Sequence, residues 1–115
     1  MFAFEDLRVY NDAMGFTKEI YRLTKGFPRE EIFGMTSQLR RAASSVALNI
    51  AEGSGLSKKE FKNFLRRARG STYECIPILA IALDNHYISQ KDYERIYSSC
   101  NSLAKSISAL IKSMK

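Results

Sequence analysis

An all-α, antiparallel up-down-up-down four-helix bundle is the fold this sequence predicts, on three observations. Apolar residues recur every three or four positions along most of the chain, and no stretch alternates apolar and polar long enough for a strand. The helical segments are separated by short clusters of Gly, Pro, Ser and Asn, and connections that short make consecutive helices antiparallel neighbours. Finally, 115 residues with 45% hydrophobic and 26% charged side chains suit a single globular domain spanning residues 1–115.

The spacing predicts a first helix over Asp6–Lys25, with Leu7, Tyr10, Met14, Thr17, Tyr21 and Thr24 toward the core. Gly26 stops it, and Pro28 suits the first turn of the next helix. A second helix over Arg29–Glu52 follows, with Glu30 and Glu31 placed where the helix dipole favours anions. Its inner seam is Ile32, Thr36, Leu39, Ala43, Val46 and Ile50, stepping alternately by four and three. The opposite side carries Arg41 among Gly34, Ser37, Ser44, Ser45 and Leu48. These last five are small enough, Leu48 excepted, to let another helix approach, and they are the candidate oligomer contacts. Gly53, Ser54 and Gly55 break the helix.

Ser57 with Glu60 reads as a capping box opening a third helix. Its core face is Phe61, Phe64, Leu65, Ala68, Thr72, Ile76, Leu79 and Leu83. Pro77 removes one hydrogen bond from this pattern, which predicts a kink over Tyr73–Pro77. Asn85 and His86 end the helix. Ser89 with Asp92 opens the fourth, whose broad stripe runs from Tyr93 and Ile96 through Tyr97, Cys100, Leu103, Ala104 and Ile107 to Met114. Asn49 and Glu52 face the turn into the third helix and are expected to clamp it through Glu60 and the backbone near Ser57.

Charge is distributed unevenly. The net charge is +6, and residues 40–70 hold eight basic and two acidic side chains. Residues 1–39 hold five and six, and residues 71–115 five and four, so the excess is local. Such a field attracts polyanions over a Debye length of about 8 Å at physiological salt. At about 100° per residue, Lys59, Lys62, Arg66, Arg69 and Tyr73 fall on one narrow arc of the third helix beside its core stripe. Cations in a row with an aromatic at the end suit a nucleic-acid strand. Arg forks grip phosphate, Lys supplies point charge and Tyr stacks on an unpaired base. A turn centred on Ser54 and Gly55 sets Arg40 and Arg41 level with Arg69 and Ala68, adding both arginines to the patch. The same spacing also describes a seam to another subunit or acidic partner, or a plain solvated face.

Other chemistry finds little support. Cys75 and Cys100 have neither zinc-site nor C-x-x-C spacing, and hairpin folding brings them to one height, as reduced core thiols or, alternatively, a redox switch. His86, the one histidine, is a helix-end residue. The run from Gly53 to Lys59 lacks phosphate-loop spacing and follows a helix rather than a strand. No residues are spaced as a catalytic triad or carboxylate pair. The expectation is a non-enzymatic chain without cofactor or metal, outside any membrane and in the reducing cytoplasm. No segment approaches the roughly 20 apolar residues of a membrane span.

Several segments, in this order and spacing, resemble a bacterial family: the four-helix-bundle proteins encoded in intervening sequences of large-subunit ribosomal RNA genes. They are Phe4-Glu5-Asp6-Leu7-Arg8-Val9-Tyr10, Phe27-Pro28 through Phe33-Gly34, and Ser37-Gln38-Leu39-Arg40-Arg41-Ala42-Ala43. Asn49-Ile50-Ala51-Glu52-Gly53, Glu60-Phe61 with Phe64-Leu65, and Ala68-Arg69-Gly70-Ser71 before Glu74 complete them. The resemblance covers most of residues 4–88, whereas the fourth helix matches in pattern alone, and Pro77 departs from the usual uninterrupted third helix. It implies a homopentameric ring and no catalytic residue. It also implies kinship with the accessory protein of diversity-generating retroelements, which engages a reverse transcriptase and nucleic acid. RNA or single-stranded nucleic acid, a nucleic-acid enzyme and further copies of the chain are the implied partners. A ring would multiply the basic arc and let it hold a flexible polyanion with avidity.

Overall fold

Serine side-chain caps open two of the four helices in the computed structural model, which describes residues 1–114. The elements are α1 (Arg8–Thr24), α2 (Met35–Ser54), α3 (Lys58–Asp84) and α4 (Gln90–Ser113), with 3-10 turns at Ala3–Asp6 and Arg29–Glu31. No strand occurs among the described residues. In sequence order, α1 packs on α2, α2 on α3 and α3 on α4, and α1 meets α4 to close the bundle. An Arg95–Glu19 ion pair ties that last edge. The principal extents are 44 × 23 × 20 Å. No helix is long and apolar enough to cross a membrane among the described residues.

On α1 the buried face is Val9, Ala13, Phe16, Ile20 and Thr24, a stripe rotated from the expected one. Leu7, Tyr10 and Thr17 lie half-buried, while Met14 and Tyr21 are exposed. Both stripes have helical spacing. The one that wins is nearly free of side-chain polar atoms, and its only hydroxyl, on Thr24, donates to Ile20 O at 2.8 Å. The tyrosines sit at the margins, where their hydroxyls stay wet.

The second helix does not start at Arg29. After the 3-10 turn the chain breaks at Gly34 (φ −113°, ψ −111°), and α2 begins at Met35. Glu31 is the cause: its Oε1 accepts from Met35 N at 3.1 Å and satisfies an otherwise orphaned helix-end donor. A Cβ on Gly34 would stand 2.8 Å from that same oxygen, so the space beside Gly34 belongs to the chain's own Glu31. Ile32 is left outside at 54% exposure, whereas Thr36, Leu39, Ala43, Val46 and Ile50 are buried as expected.

At its far end α2 runs on through Gly53 to Ser54. Gly53 is therefore no helix breaker; it is buried where α2 crosses α3, against Phe61 and Phe64. The expected clamp from Asn49 and Glu52 does not form. Asn49 Nδ2 turns back to Ser45 O at 2.8 Å, and Glu60 is engaged with Ser57. The capping box itself is present, with Ser57 Oγ accepting from Glu60 N at 3.2 Å. Leu65, Ala68, Thr72 and Leu79 are buried, joined by Cys75 and Ala82, and α3 remains one helix through the exposed Pro77. His86, at φ 62°, ends the run: His86 N donates to Leu83 O and Tyr87 N to Ala82 O. On α4, Ser89 Oγ accepts from Asp92 N at 3.0 Å, and Ile96, Cys100, Leu103, Ala104 and Ile107 are buried.

Candidate nucleic-acid interface

The rise of an α-helix spreads Lys59 to Tyr73 along about 21 Å of α3. Lys59, Arg66 and Tyr73 are exposed, while Lys62 and Arg69 are half-buried at the edge facing α4. Arg69 Nη1 donates to Ser108 Oγ on α4 at 3.0 Å, which fixes the direction of that edge. Arg66 Nη1 donates to Asn63 Oδ1 at 2.9 Å, a neutral partner that orients the guanidinium without cancelling its charge. None of Lys59, Lys62, Arg66 and Arg69 forms an ion pair among the described residues. Glu60, the acidic group nearest in sequence, is bound to Ser57. Repulsion between like charges on one edge goes unrelieved, a cost that a polyanion would remove.

At the end of the row Tyr73 is 57% exposed. With Ile76, Tyr97 and Asn101 it lines a notch of about 100 Å³ between α3 and α4. Spacing places Tyr97 on the core stripe of the fourth helix, yet it is exposed and its ring lies 5.9 Å from that of Tyr93. A second tyrosine thus stands at the arc's end, which spacing within α4 alone could not reveal.

Arg40 and Arg41 are not part of this row. Arg40 Nε donates to Thr24 Oγ1 at 2.8 Å, and its guanidinium lies 4.5 Å over the Tyr21 ring, so it is committed to α1. Arg41 is exposed and lines a depression of about 590 Å³ together with Tyr21, Ser44, Ser45, Leu48 and Glu74. The expected register failed because α2 persists through Ser54, which moves the turn toward α3. Counting back from the Gly53 contact with Phe61 and Phe64 sets Arg41 level with Glu74 rather than Arg69. Arg67, outside the predicted arc, lies 4.8 Å over the Phe64 ring and belongs to neither group.

The candidate oligomer residues are divided as well. Ser44 Oγ donates to Arg40 O at 2.8 Å, and Ser45 Oγ accepts from Asn49 Nδ2 at 3.1 Å. Ser37 is half-buried, and Leu48 stands out from α2 at 67% exposure. Cys75 and Cys100 are free and buried. A hydrogen bond with the Cys100 thiol and then burial push the Cys75 thiol well above its ordinary range, so it stays protonated and unreactive. Among the described residues no group of three His, Cys, Asp or Glu is placed to hold a metal.

A profile described as 23S rRNA-intervening sequence protein matches residues 5–109. The fold is similar to the crystal structure of a protein of unknown function from the S23 ribosomal protein family of Bacteroides thetaiotaomicron VPI-5482. The two share 25% sequence identity at a TM-score of 0.80, over 90% of this chain and 98% of that one. No curated protein matches the chain.

Proposed function

The chain belongs to the 23S rRNA-intervening sequence protein family, and from that premise we propose that it is a non-enzymatic bundle that binds RNA or single-stranded nucleic acid. The carrying observation is the row of Lys59, Lys62, Arg66 and Arg69 along one edge of α3, without an ion pair among the described residues. Phosphates bind the row, and an unstacked base rests on Tyr73 or Tyr97. Contacts of this kind set affinity and carry little sequence information, so selectivity is modest. Arg40 and Arg41 lie off the row and contribute at most long-range attraction. The protein works in the cytoplasm as a homo-oligomer, a pentameric ring by its family resemblance, and repeats the row on every subunit.

Retardation of a short single-stranded RNA by the purified protein tests this reading, with salt as the variable. Neutralising four phosphates gives log K a slope against log salt of about −3, at roughly −0.7 per phosphate. The Lys62→Glu, Arg66→Glu double variant should lose binding and keep its helicity. RNA affinity that survives the double change would remove the row from consideration. An assembly that never retains nucleic acid would point instead to an adaptor whose basic row meets an acidic protein partner.

A further inference from the structure

The basic row of α3 ends in a recess rather than on a flat surface. We infer that this notch between α3 and α4 takes one pyrimidine base of the bound strand, and that Asn101 reads its edge. This deepens the RNA reading above and rests on it: the phosphate contacts leave the sequence unread, and the notch supplies the reading.

The notch, of about 100 Å³, has a dry floor made by buried Thr72, Cys100 and Ala104. The polar atoms of that floor are already engaged. Thr72 Oγ1 donates to Arg69 O at 2.6 Å, and the Cys100 thiol is hydrogen-bonded to Cys75. Tyr73 and Ile76 of α3 stand on one side and Tyr97 of α4 on the other, with the Tyr93 ring behind Tyr97. An apolar slot with aromatic sides and a polar group at its mouth suits a flat heteroaromatic ring. Its volume holds a one-ring base, whereas a two-ring base would stand proud of it.

Asn101 is the polar group at the mouth. Asn11, Asn49, Asn63 and Asn85 each spend the side-chain amide on the chain itself, whereas the exposed Asn101 amide has no such bond among the described residues. A carboxamide presents a donor and an acceptor side by side. Uracil and cytosine each offer the complementary pair at N3 and the group on C4, and turning the amide over serves either base. Charge places a strand here as well. Arg69 precedes Tyr73 by one helical turn, and exposed Lys105 follows Asn101 by one turn, with no ion pair among the described residues. Both are within reach of the phosphates that flank a base in the notch. Beyond Tyr97 lies exposed Glu94, whose carboxylate accepts from Gln90 Nε2 and repels further phosphate, so the cation contacts end at the notch. Glu74, the other acidic group nearby in sequence, faces the α2 side of α3.

Titration of two labelled single-stranded RNAs of equal length, one all uridine and one all adenosine, tests the notch by fluorescence anisotropy. Wild-type protein should bind the uridine strand about fivefold to tenfold tighter, the lower end of one bidentate amide–base contact. Asn101→Leu keeps the size of the side chain and removes the amide. Its site is exposed and leucine favours helix, so helicity by circular dichroism should match the wild type. In this variant the preference should fall to within about twofold, while the salt slope stays unchanged because no cation is lost. The change in preference on substitution is independent of how strongly the free adenosine strand stacks on itself. Equal or tighter binding of the adenosine strand by the wild type overturns the notch and leaves the basic row standing. So does a uridine preference that survives Asn101→Leu. Failure to bind either strand overturns both readings.

Discussion

The Tyr87 hydroxyl donates to Glu31 Oε2 at 3.1 Å, while the other oxygen of the same carboxylate accepts from Met35 N, also at 3.1 Å. One side chain thereby joins the α3–α4 connection to the start of α2. The bond holds the phenolic proton, so Tyr87 titrates above its ordinary value of 10.0, with burial as a second cause. A folded-state value above the unfolded one means the contribution is complete below that ordinary value. It is lost as pH rises through the higher folded value. Wild-type protein should therefore lose stability above about pH 10 more steeply than Tyr87→Phe, read from urea midpoints across the alkaline range. Parallel declines would show that this phenol is not linked to folding. Glu31→Ala, which removes the cap as well, should cost about 1–2 kcal/mol.

Close approach of α2 and α3 makes a second prediction, at Gly53. A Cβ there would stand 2.5 Å from Phe64 Cβ and 3.0 Å from its Cγ. The first of these atoms moves only with the α3 backbone, so the helices would have to separate. Helix propensity favours Ala over Gly by about 1 kcal/mol, but overpacking typically costs about 1–3 kcal/mol. Gly53→Ala should lower stability by about 1–2 kcal/mol in urea unfolding. A gain in stability would mean that the crossing has slack.

Gly53 also shows where the sequence was legible and where it was not. Capping signals were read correctly at Ser57 and Ser89 because each lies within three residues of the backbone donor it satisfies. The inner seam of α2 from Thr36 to Ile50 followed from spacing, because it presents one unambiguous apolar stripe. On α3 spacing found Leu65, Ala68, Thr72 and Leu79, but Phe61, Phe64, Ile76 and Leu83 lie half-buried at the margin, and the small side chains of Ser71 and Ala82 take buried places beside them. On α1 two stripes compete, and the richer in aromatics was the wrong one, because tyrosine suits a wet margin better than a dry core. A glycine near a helix end predicts a break, but at Gly53 it serves packing. Because α2 runs on to Ser54, the α2–α3 register differs from the one a break at Gly53 predicts, and Arg40 lies on the α1 edge instead of beside Arg69. No local pattern announces that Arg40 will be held by Thr24 on another helix, or that Glu31 will cap a helix four residues ahead and bind Tyr87.

His86 holds a left-handed conformation at φ 62°, a region that costs a residue with a Cβ about 1 kcal/mol and glycine almost nothing. Its backbone N–H closes on Leu83 O, while the imidazole is exposed. His86→Gly should therefore raise stability by about 0.5–1 kcal/mol, offset in part by greater freedom of the unfolded chain. His86→Asn should gain less. Loss of stability in the glycine variant would reveal a side-chain role for the imidazole.

The division of the cations between two edges makes the last prediction. Arg40 spends its guanidinium within the chain, on Thr24 Oγ1 and the Tyr21 ring, whereas Lys62 and Arg66 have no anionic partner among the described residues. Equal formal charges should therefore behave differently when removed. Arg40→Ala should cost about 1–2 kcal/mol of stability through the lost hydrogen bond and cation–π contact, with the salt slope of RNA binding unchanged. Lys62→Ala should leave stability within about 0.5 kcal/mol and flatten the slope by about 0.7, one phosphate's worth. Both quantities come from the same two preparations, by urea unfolding and by RNA titration across a salt series. If Arg40→Ala flattens the slope as much as Lys62→Ala does, RNA reaches the α1–α2 edge, and the strand does not follow α3 alone.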